Sequence, residues 1–132
     1  MAHPNNDITG IWRSVYHYTS SSRSGEFKSE HYVRLQKQGN HLVFESLPRD
    51  SRSYLHLRLS LDGTIATGSW REETDPTGYY KGAVYHGAIQ LVLDNTNKRM
   101  KGKWLGHGRD FEINVGPWEL TYVGESIPEV AA

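Results

Sequence analysis

Gly10-Ile11-Trp12 is the first of four Gly-x-Trp tripeptides, and every tryptophan of the protein belongs to one of them. The others are Gly68-Ser69-Trp70, Gly102-Lys103-Trp104 and Gly116-Pro117-Trp118. Residues two apart share one face of an extended strand, so each glycine leaves a gap beside an indole. Glycine inside a strand marks a bend or a close approach. The repeated pattern therefore predicts a curved sheet that closes on itself.

The composition predicts an all-β protein. The 132 residues include 13 glycines, 8 tyrosines and 4 tryptophans, and no long segment has a clean helical stripe. Eight or nine strands joined by short turns favour an antiparallel up-and-down β-barrel. A two-sheet sandwich is the alternative, but it usually needs longer crossing connections than this sequence contains.

The strands are predicted from alternation and turn residues. They cover residues 8–19, 27–36, 41–47, 54–61, 64–72, 79–93, 99–105, 111–115 and 118–123. The clearest pattern places Leu55, Leu57 and Leu59 on one interior face. On the first strand we expect the Trp12 face to point inward, and we expect Gly116-Pro117 to divide the last two strands. Residues 1–7 are predicted as a flexible lead, 8–124 as one barrel domain and 125–132 as a flexible tail.

The net charge and the cysteine content exclude several classes of partner and chemistry. The 15 basic and 15 acidic residues cancel, so we expect no nucleic-acid surface. Without cysteine there are no disulfides and no thiolate chemistry, and we expect a cytoplasmic protein. The first seven residues are polar and do not form a signal peptide, and no stretch reaches transmembrane length. We therefore expect no membrane partner.

The chain resembles the calycin group of barrels. It shares an early Gly-x-Trp on the first strand, about eight meandering strands and later Gly-x-Trp repeats. This group comprises lipocalins, fatty-acid-binding proteins and avidins. The resemblance is architectural and covers most of the chain. It implies a barrel that binds small molecules, and it implies that Trp70, Trp104 and Trp118 line a pocket, as such residues do in avidin-like proteins.

The chain is also similar to an uncharacterised domain that follows helix-turn-helix domains in some actinobacterial regulators. The segments that carry this similarity are GIWRS at 10–14, YHY at 16–18, SSSR at 20–23, GYYKGAVYHG at 78–87 and GKWLG at 102–106. The similarity implies a bacterial sensory or ligand-binding role. No helix-turn-helix segment occurs in this sequence, and we expect no direct contact with DNA.

The segment from Thr77 to Gly87 is the richest in groups that could bind a ligand. It contains Tyr79, Tyr80, Lys81, Tyr85 and His86. Phenol, ammonium and imidazole groups at a barrel mouth can stack on a planar molecule and hydrogen-bond its edge. The alternative is that tyrosines are simply good strand formers among glycines that relieve crowding.

A second candidate cluster lies on the first strand and the loop after it. It consists of Tyr16, Tyr18 and Arg23, whose guanidinium could pair with a carboxylate or phosphate. If the first and sixth strands bring their ends to one mouth, both clusters converge there, with Trp70 and Trp104 as apolar walls. Alternatively, the arginine is only solvated and the tryptophans only fill the barrel.

His31 is predicted to face inward, either as a ligand contact or proton switch or as an interior histidine bonded to a serine or tyrosine. No histidine forms a local metal pair, so we expect no metal and no cofactor. The carboxylates are expected at outward or loop positions, which argues against acid-base catalysis. They are Glu30, Glu45, Glu72, Glu73 and Glu112.

The functional hypothesis is non-catalytic binding of a small, partly aromatic or amphipathic molecule, with a possible role as a sensor. No enzyme motif is found in the sequence. One alternative is a small barrel enzyme of the isomerase, cyclase or lyase type. The other is a protein-interaction module whose barrel is filled and whose aromatic residues lie outside.

Overall fold

The computed structural model describes residues 8–19, 26–47, 53–78, 81–107 and 111–125. These ranges form eight strands. They are β1 (Gly10–Thr19), β2 (Glu26–Gln38), β3 (His41–Ser46), β4 (Tyr54–Asp62), β5 (Ile65–Glu73), β6 (Val84–Leu93), β7 (Arg99–His107) and β8 (Ile113–Gly124). Each strand pairs antiparallel with its chain neighbours, and β1 also pairs with β8. The predicted all-β up-and-down barrel is confirmed, with eight strands.

The predicted lead at 1–7 lies outside the described residues, as does the predicted tail apart from Glu125. Within the described ranges, no helix is both long enough and apolar enough to cross a membrane.

The barrel has two ends with different connections. At the upper end, β1, β3, β5 and β7 finish and β2, β4, β6 and β8 begin. At the lower end, short turns join β2 to β3, β4 to β5 and β6 to β7. The first two are two-residue turns at Gly39-Asn40 and Gly63-Thr64, and the third spans residues 94–98.

The lower half of the interior is a continuous apolar core. The predicted inner faces are confirmed, since Leu55, Leu57, Leu59 and Trp12 are at most 1% exposed. Leu55 is opposite Glu72 near the upper end. The other buried side chains of the lower half are Ile8, Val33, Leu35, Leu42, Phe44, Ala66, Ile89, Leu91, Leu93, Met100 and Leu120. Burial of this much apolar surface is the main stabilising contribution to the fold.

The predicted strand at 79–93 begins later than expected. β6 starts at Val84, and Lys81 has a positive φ of 54°, which is turn geometry rather than strand geometry. The Thr74 amide donates to the Ala83 carbonyl at 2.9 Å and closes this turn. The prediction was wrong because a run of strand-forming tyrosines does not show where a turn ends.

The predicted break at Gly116-Pro117 is also wrong, since β8 runs unbroken through it. The register that pairs Tyr16 with Trp118 sets His17 opposite Pro117, which has no amide hydrogen to donate. The Trp104 indole supplies the bond instead, as its Nε1 donates to the His17 carbonyl at 2.9 Å. Gly116 leaves the room, because a Cβ there would lie 2.6 Å from that nitrogen. Proline is tolerated in the strand because another donor replaces its own.

Candidate functional site

The upper half of the interior differs from the lower half because it contains polar and aromatic side chains. The C-terminal end of β1 and the N-terminal end of β6 both lie at the upper end of the barrel, as the site hypothesis requires. Trp70 and Trp104 are buried, and Tyr18 and Tyr85 are half-buried against the core. Three buried side chains of the described chain are polar or charged, namely Ser14, His31 and Glu72. Two of these, His31 and Glu72, belong to the upper half.

Trp70 and Trp104 form two walls whose indole N–H groups already have partners. Trp70 Nε1 donates to the Leu105 carbonyl at 3.2 Å, and Trp104 Nε1 donates to the His17 carbonyl. Their rings meet edge to face, with centroids 5.5 Å apart. These tryptophans therefore present ring surface to the interior, and their hydrogen-bonding capacity is used by the barrel itself.

Tyr16 is the central aromatic residue of this half. Its ring stacks on Trp118 with centroids 4.3 Å apart and also contacts Trp70 and Trp104 at 6.0 Å each. Its hydroxyl donates a hydrogen bond to Glu72 Oε1. Burial first, and the nearby Glu72 carboxylate second, raise the pKa of the Tyr16 phenol well above its usual range. The phenol is therefore a hydrogen-bond donor at every physiological pH.

Glu72 corrects the expectation that the carboxylates face outward. It is 5% exposed and points into the barrel, because it lies two residues after Trp70 on the same face of β5. Its Oε2 accepts from Ser29 Oγ at 3.4 Å and lies 3.7 Å from His31 Nε2. The spacing from Trp70 was a sequence signal that could have identified it.

His31 lies on the inner face, as predicted, and is 4% exposed. Its Nε2 lies 2.7 Å from Ser53 Oγ, so the interior-histidine interpretation is supported by a serine partner. Its Nδ1 is buried, and no group in the described part of the chain hydrogen-bonds to it. Burial lowers the pKa of the imidazole, and the opposing attraction of Glu72 is smaller. His31 is therefore neutral at pH 7.

The lowered pKa of His31 makes stability depend on pH. The unfolded chain takes up this proton near pH 6.5 while the folded chain does not, so acidification favours unfolding. We expect the free energy of unfolding to fall as the pH drops below 6.5, by about 1 kcal/mol for each pH unit until the folded histidine titrates. Urea denaturation at a series of pH values measures this slope.

The matched variants for this pH dependence are His31→Gln and His86→Gln. The first removes the buried imidazole, and we expect it to flatten the slope between pH 5 and 6.5. The second changes an exposed histidine of the outer wall and should leave the slope as in the wild type. Equal slopes in all three proteins would contradict the assignment to His31.

The structure brings some of the predicted site residues together and separates others. Tyr18 is half-buried and stacks on Phe27 with centroids 5.7 Å apart, and Tyr85 packs on the core beside Glu72. His86 lies exposed on the outer wall, because it alternates with Tyr85, and its ring is 6.0 Å from that of His107. Lys81 is exposed in the turn before β6.

Three predicted residues and several unpredicted ones complete the comparison. Arg23, Tyr79 and Tyr80 lie outside the described residues. Phe27 and Ser29 are not among the predicted site residues, and Glu72 is predicted to face outward. All three lie beside predicted site residues, since Ser29 is opposite Tyr16 and Phe27 is opposite Tyr18. Cross-strand pairing of this kind cannot be read from either strand alone.

No protein-family model, curated protein or solved structure matches this chain. The closed eight-stranded barrel is consistent with the calycin-like architecture. In the ranges that the structure describes, no group of three or more His, Cys, Asp or Glu side chains could hold a metal ion.

Two depressions lie on the described surface, with volumes of about 180 and 270 Å³. The first is lined by side chains of β2 and β3 that include Arg34, Val43 and Glu45. The second is lined by Arg13, Glu30, His31 and Tyr32, so it includes one predicted site residue. Neither is lined by Tyr16, Glu72 or a tryptophan.

Proposed function

We propose that the upper half of the barrel binds a small, partly aromatic or amphipathic molecule and does not change it chemically. The observation that carries the proposal is the hydrogen-bonded set of Tyr16, Glu72 and Ser29 beside His31, enclosed by the rings of Trp70 and Trp104. Apolar walls with a few convergent polar groups are typical of small-molecule sites.

The energetics of this set support a functional role. The core cluster consists of apolar and aromatic side chains from both halves, and neither Glu72 nor His31 belongs to it. A buried carboxylate, and a buried imidazole with an unbonded nitrogen, each reduce stability. Proteins retain such groups mainly where activity requires them.

Binding requires the half-buried rings at the upper end to move. Tyr18, Phe27 and Tyr85 are half-buried at this end, where Tyr18 contacts Tyr16 and Tyr85 is opposite Glu72. Rotamer changes of partly exposed side chains occur within nanoseconds, and the packed rings can separate without any change in strand pairing. The ligand replaces ring-on-ring contacts with ring-on-ligand contacts.

The proposed binding function agrees with both family resemblances found in the sequence. A calycin-like barrel that binds a ligand at one end fits the lipocalin, avidin and fatty-acid-binding likeness. A sensory role follows if a separate regulator responds to the ligand-bound barrel, as the similarity to the actinobacterial regulator domain implies. Native mass spectrometry of protein purified from its own host tests the proposal directly, and a retained organic molecule is the expected result.

Tyr85→Phe tests the contribution of a phenol at the upper end. The ring and the fold are kept, and we expect the dissociation constant of the retained molecule to rise about fivefold through loss of one hydrogen bond. Tyr54→Phe is the matched control, because Tyr54 lies on the outer wall and its hydroxyl donates to Glu45 at 2.9 Å. Equal affinity in the wild type and both variants would remove Tyr85 from the site.

An enzyme is the second candidate, and one specific observation favours it. Glu72 points inward, accepts a hydrogen bond from Tyr16 and lies beside His31. These three groups could act as general acid and base. Such a set could move a proton in an isomerase, cyclase or lyase reaction. Incubation of the protein with its retained molecule, followed by mass and chiral analysis, separates turnover from binding.

A protein-interaction module is the third candidate, favoured by an apolar outer surface on β7 and β8. Leu105 and Val115 are cross-strand partners with 45% and 56% exposure, and Ile113 is 62% exposed beside them. Exposed apolar patches often mark protein contacts. Leu105→Ser would abolish such a contact while leaving ligand retention unchanged.

A further inference from the structure

Glu72 is the one acidic residue that is buried in the described part of the chain. Its side chain is 7% exposed. A carboxylate removed from water needs either an opposite charge or enough hydrogen-bond donors to replace its hydration. The groups around Glu72 therefore show whether its carboxylate has an opposite charge or enough hydrogen-bond donors.

Those groups supply hydrogen bonds and no positive charge. Tyr16 and Ser29 are neutral donors, and the contact from Ser29 Oγ to Oε2 is long, at 3.4 Å. His31 is the basic side chain nearest Oε2 among the described residues, but it lies 3.7 Å away and burial keeps it neutral. A carboxylate accepts up to about four hydrogen bonds, so Oε2 retains capacity for another donor.

The second observation is the unbonded nitrogen of His31. Nδ1 is buried without a hydrogen-bond partner in the described residues, on a side chain that is 4% exposed. Nε2 lies 2.7 Å from Ser53 Oγ. If the Ser53 hydroxyl donates to Nε2, the imidazole hydrogen is on Nδ1. If Nε2–H donates to Ser53 Oγ instead, Nδ1 carries a lone pair. In both cases the ring whose Nε2 lies 3.7 Å from Glu72 keeps a buried polar atom with no partner among the described residues.

The aromatic walls specify the rest of the ligand. Tyr16, Trp70 and Trp118 contact one another within 6.0 Å between centroids, and the indole N–H groups are already bonded to the barrel. The face of an aromatic ring attracts a cation and also packs on an apolar or aromatic body. A carboxylate among such rings suits an organic ammonium ion.

We propose that the upper barrel selects a protonated amine with an aromatic or apolar body, whose ammonium group pairs with Glu72 and whose body packs against Tyr16 and Trp70. This inference rests on the proposed function of the upper barrel as a binding site. It specifies that the ligand is positively charged, whereas the proposed function specifies only a partly aromatic or amphipathic molecule.

Three probes of similar shape test the charge preference. They are 2-phenylethylammonium, 2-phenylethanol and 3-phenylpropanoate, which are cationic, neutral and anionic at pH 7. Quenching of tryptophan fluorescence and titration calorimetry measure their binding to the wild-type protein. We expect the ammonium ion to bind about tenfold or more tightly than the alcohol, and the carboxylate to bind weakest.

Glu72→Gln keeps the size of the side chain and removes its charge. We expect this variant to lose the preference for the ammonium ion over 2-phenylethanol. Glu119→Gln is the matched control, because Glu119 is exposed and pairs with Arg99 on the outer wall. This control should keep the preference, and circular dichroism checks that both variants fold.

The outcomes distinguish this inference from the function on which it rests. If the alcohol and the ammonium ion bind the wild type equally, the charge inference is overturned while the binding function stands. The same conclusion follows if Glu72→Gln binds both probes as the wild type does. If none of the three probes binds at millimolar concentration, the binding function fails and the charge inference fails with it. The wild-type comparison decides the matter even if Glu72→Gln does not fold.

Discussion

Phe44→Ala is expected to reduce the free energy of unfolding by about 3–5 kcal/mol. Phe44 is fully buried, and its ring meets Trp12 edge to face with centroids 6.5 Å apart. Truncation to alanine removes the ring from the lower core and leaves a cavity that the paired strands cannot close, since the barrel pins their positions. Urea denaturation followed by tryptophan fluorescence measures the loss.

The same chemical change has a matched control at Phe111. This phenylalanine is 91% exposed, so Phe111→Ala should alter stability by no more than about 0.5 kcal/mol. The difference between the two variants isolates burial, because the residue types before and after substitution are identical. A cost below 1 kcal/mol for Phe44→Ala would mean that the lower core is not the packed unit described above.

Gly102→Ala should destabilise the barrel by about 3 kcal/mol, which is near the upper end for an overpacked site. A Cβ at this position would lie against the carbonyl oxygen of Gln90 and 2.9 Å from the Cα of Leu91, both in the backbone of β6. Side chains can rotate away from a new methyl group, but a paired strand cannot. The same denaturation experiment measures the effect.

Gly39→Ala is the control for Gly102→Ala. No atom of the described residues lies within 4 Å of a Cβ at Gly39, whose φ of 63° disfavours a side chain. Its cost should be about 1 kcal/mol, the ordinary penalty for a left-handed alanine. If both variants lost the same amount, close approach of β6 and β7 at Gly102 would not be the reason for glycine in the Gly-x-Trp pattern.

Some features of the candidate site could be predicted and others could not. Alternation within a strand predicted that His31 faces inward. Tyr16, Tyr18, Trp70 and Trp104 were predicted to meet at one mouth on the condition that the first and sixth strands bring their ends there. Glu72 was assigned to the outside, although the same alternation counted from Trp70 places it inside. Its partner Tyr16 is 56 residues away along the chain, so their hydrogen bond had no local signal.

What the sequence determined by itself was the class of fold and the inner face of each clear strand. Leu55, Leu57 and Leu59 must share a face in any extended structure, and glycine turns must reverse the chain, because both are properties of the local backbone. Only the tertiary structure decided where β1 meets β8, which lets the Trp104 indole supply the bond that Pro117 cannot. The closure of the barrel also set the carboxylate of Glu72 between Tyr16 and His31. A buried polar group takes its partners from whichever strands the register brings beside it, and register is a property of the whole closed sheet.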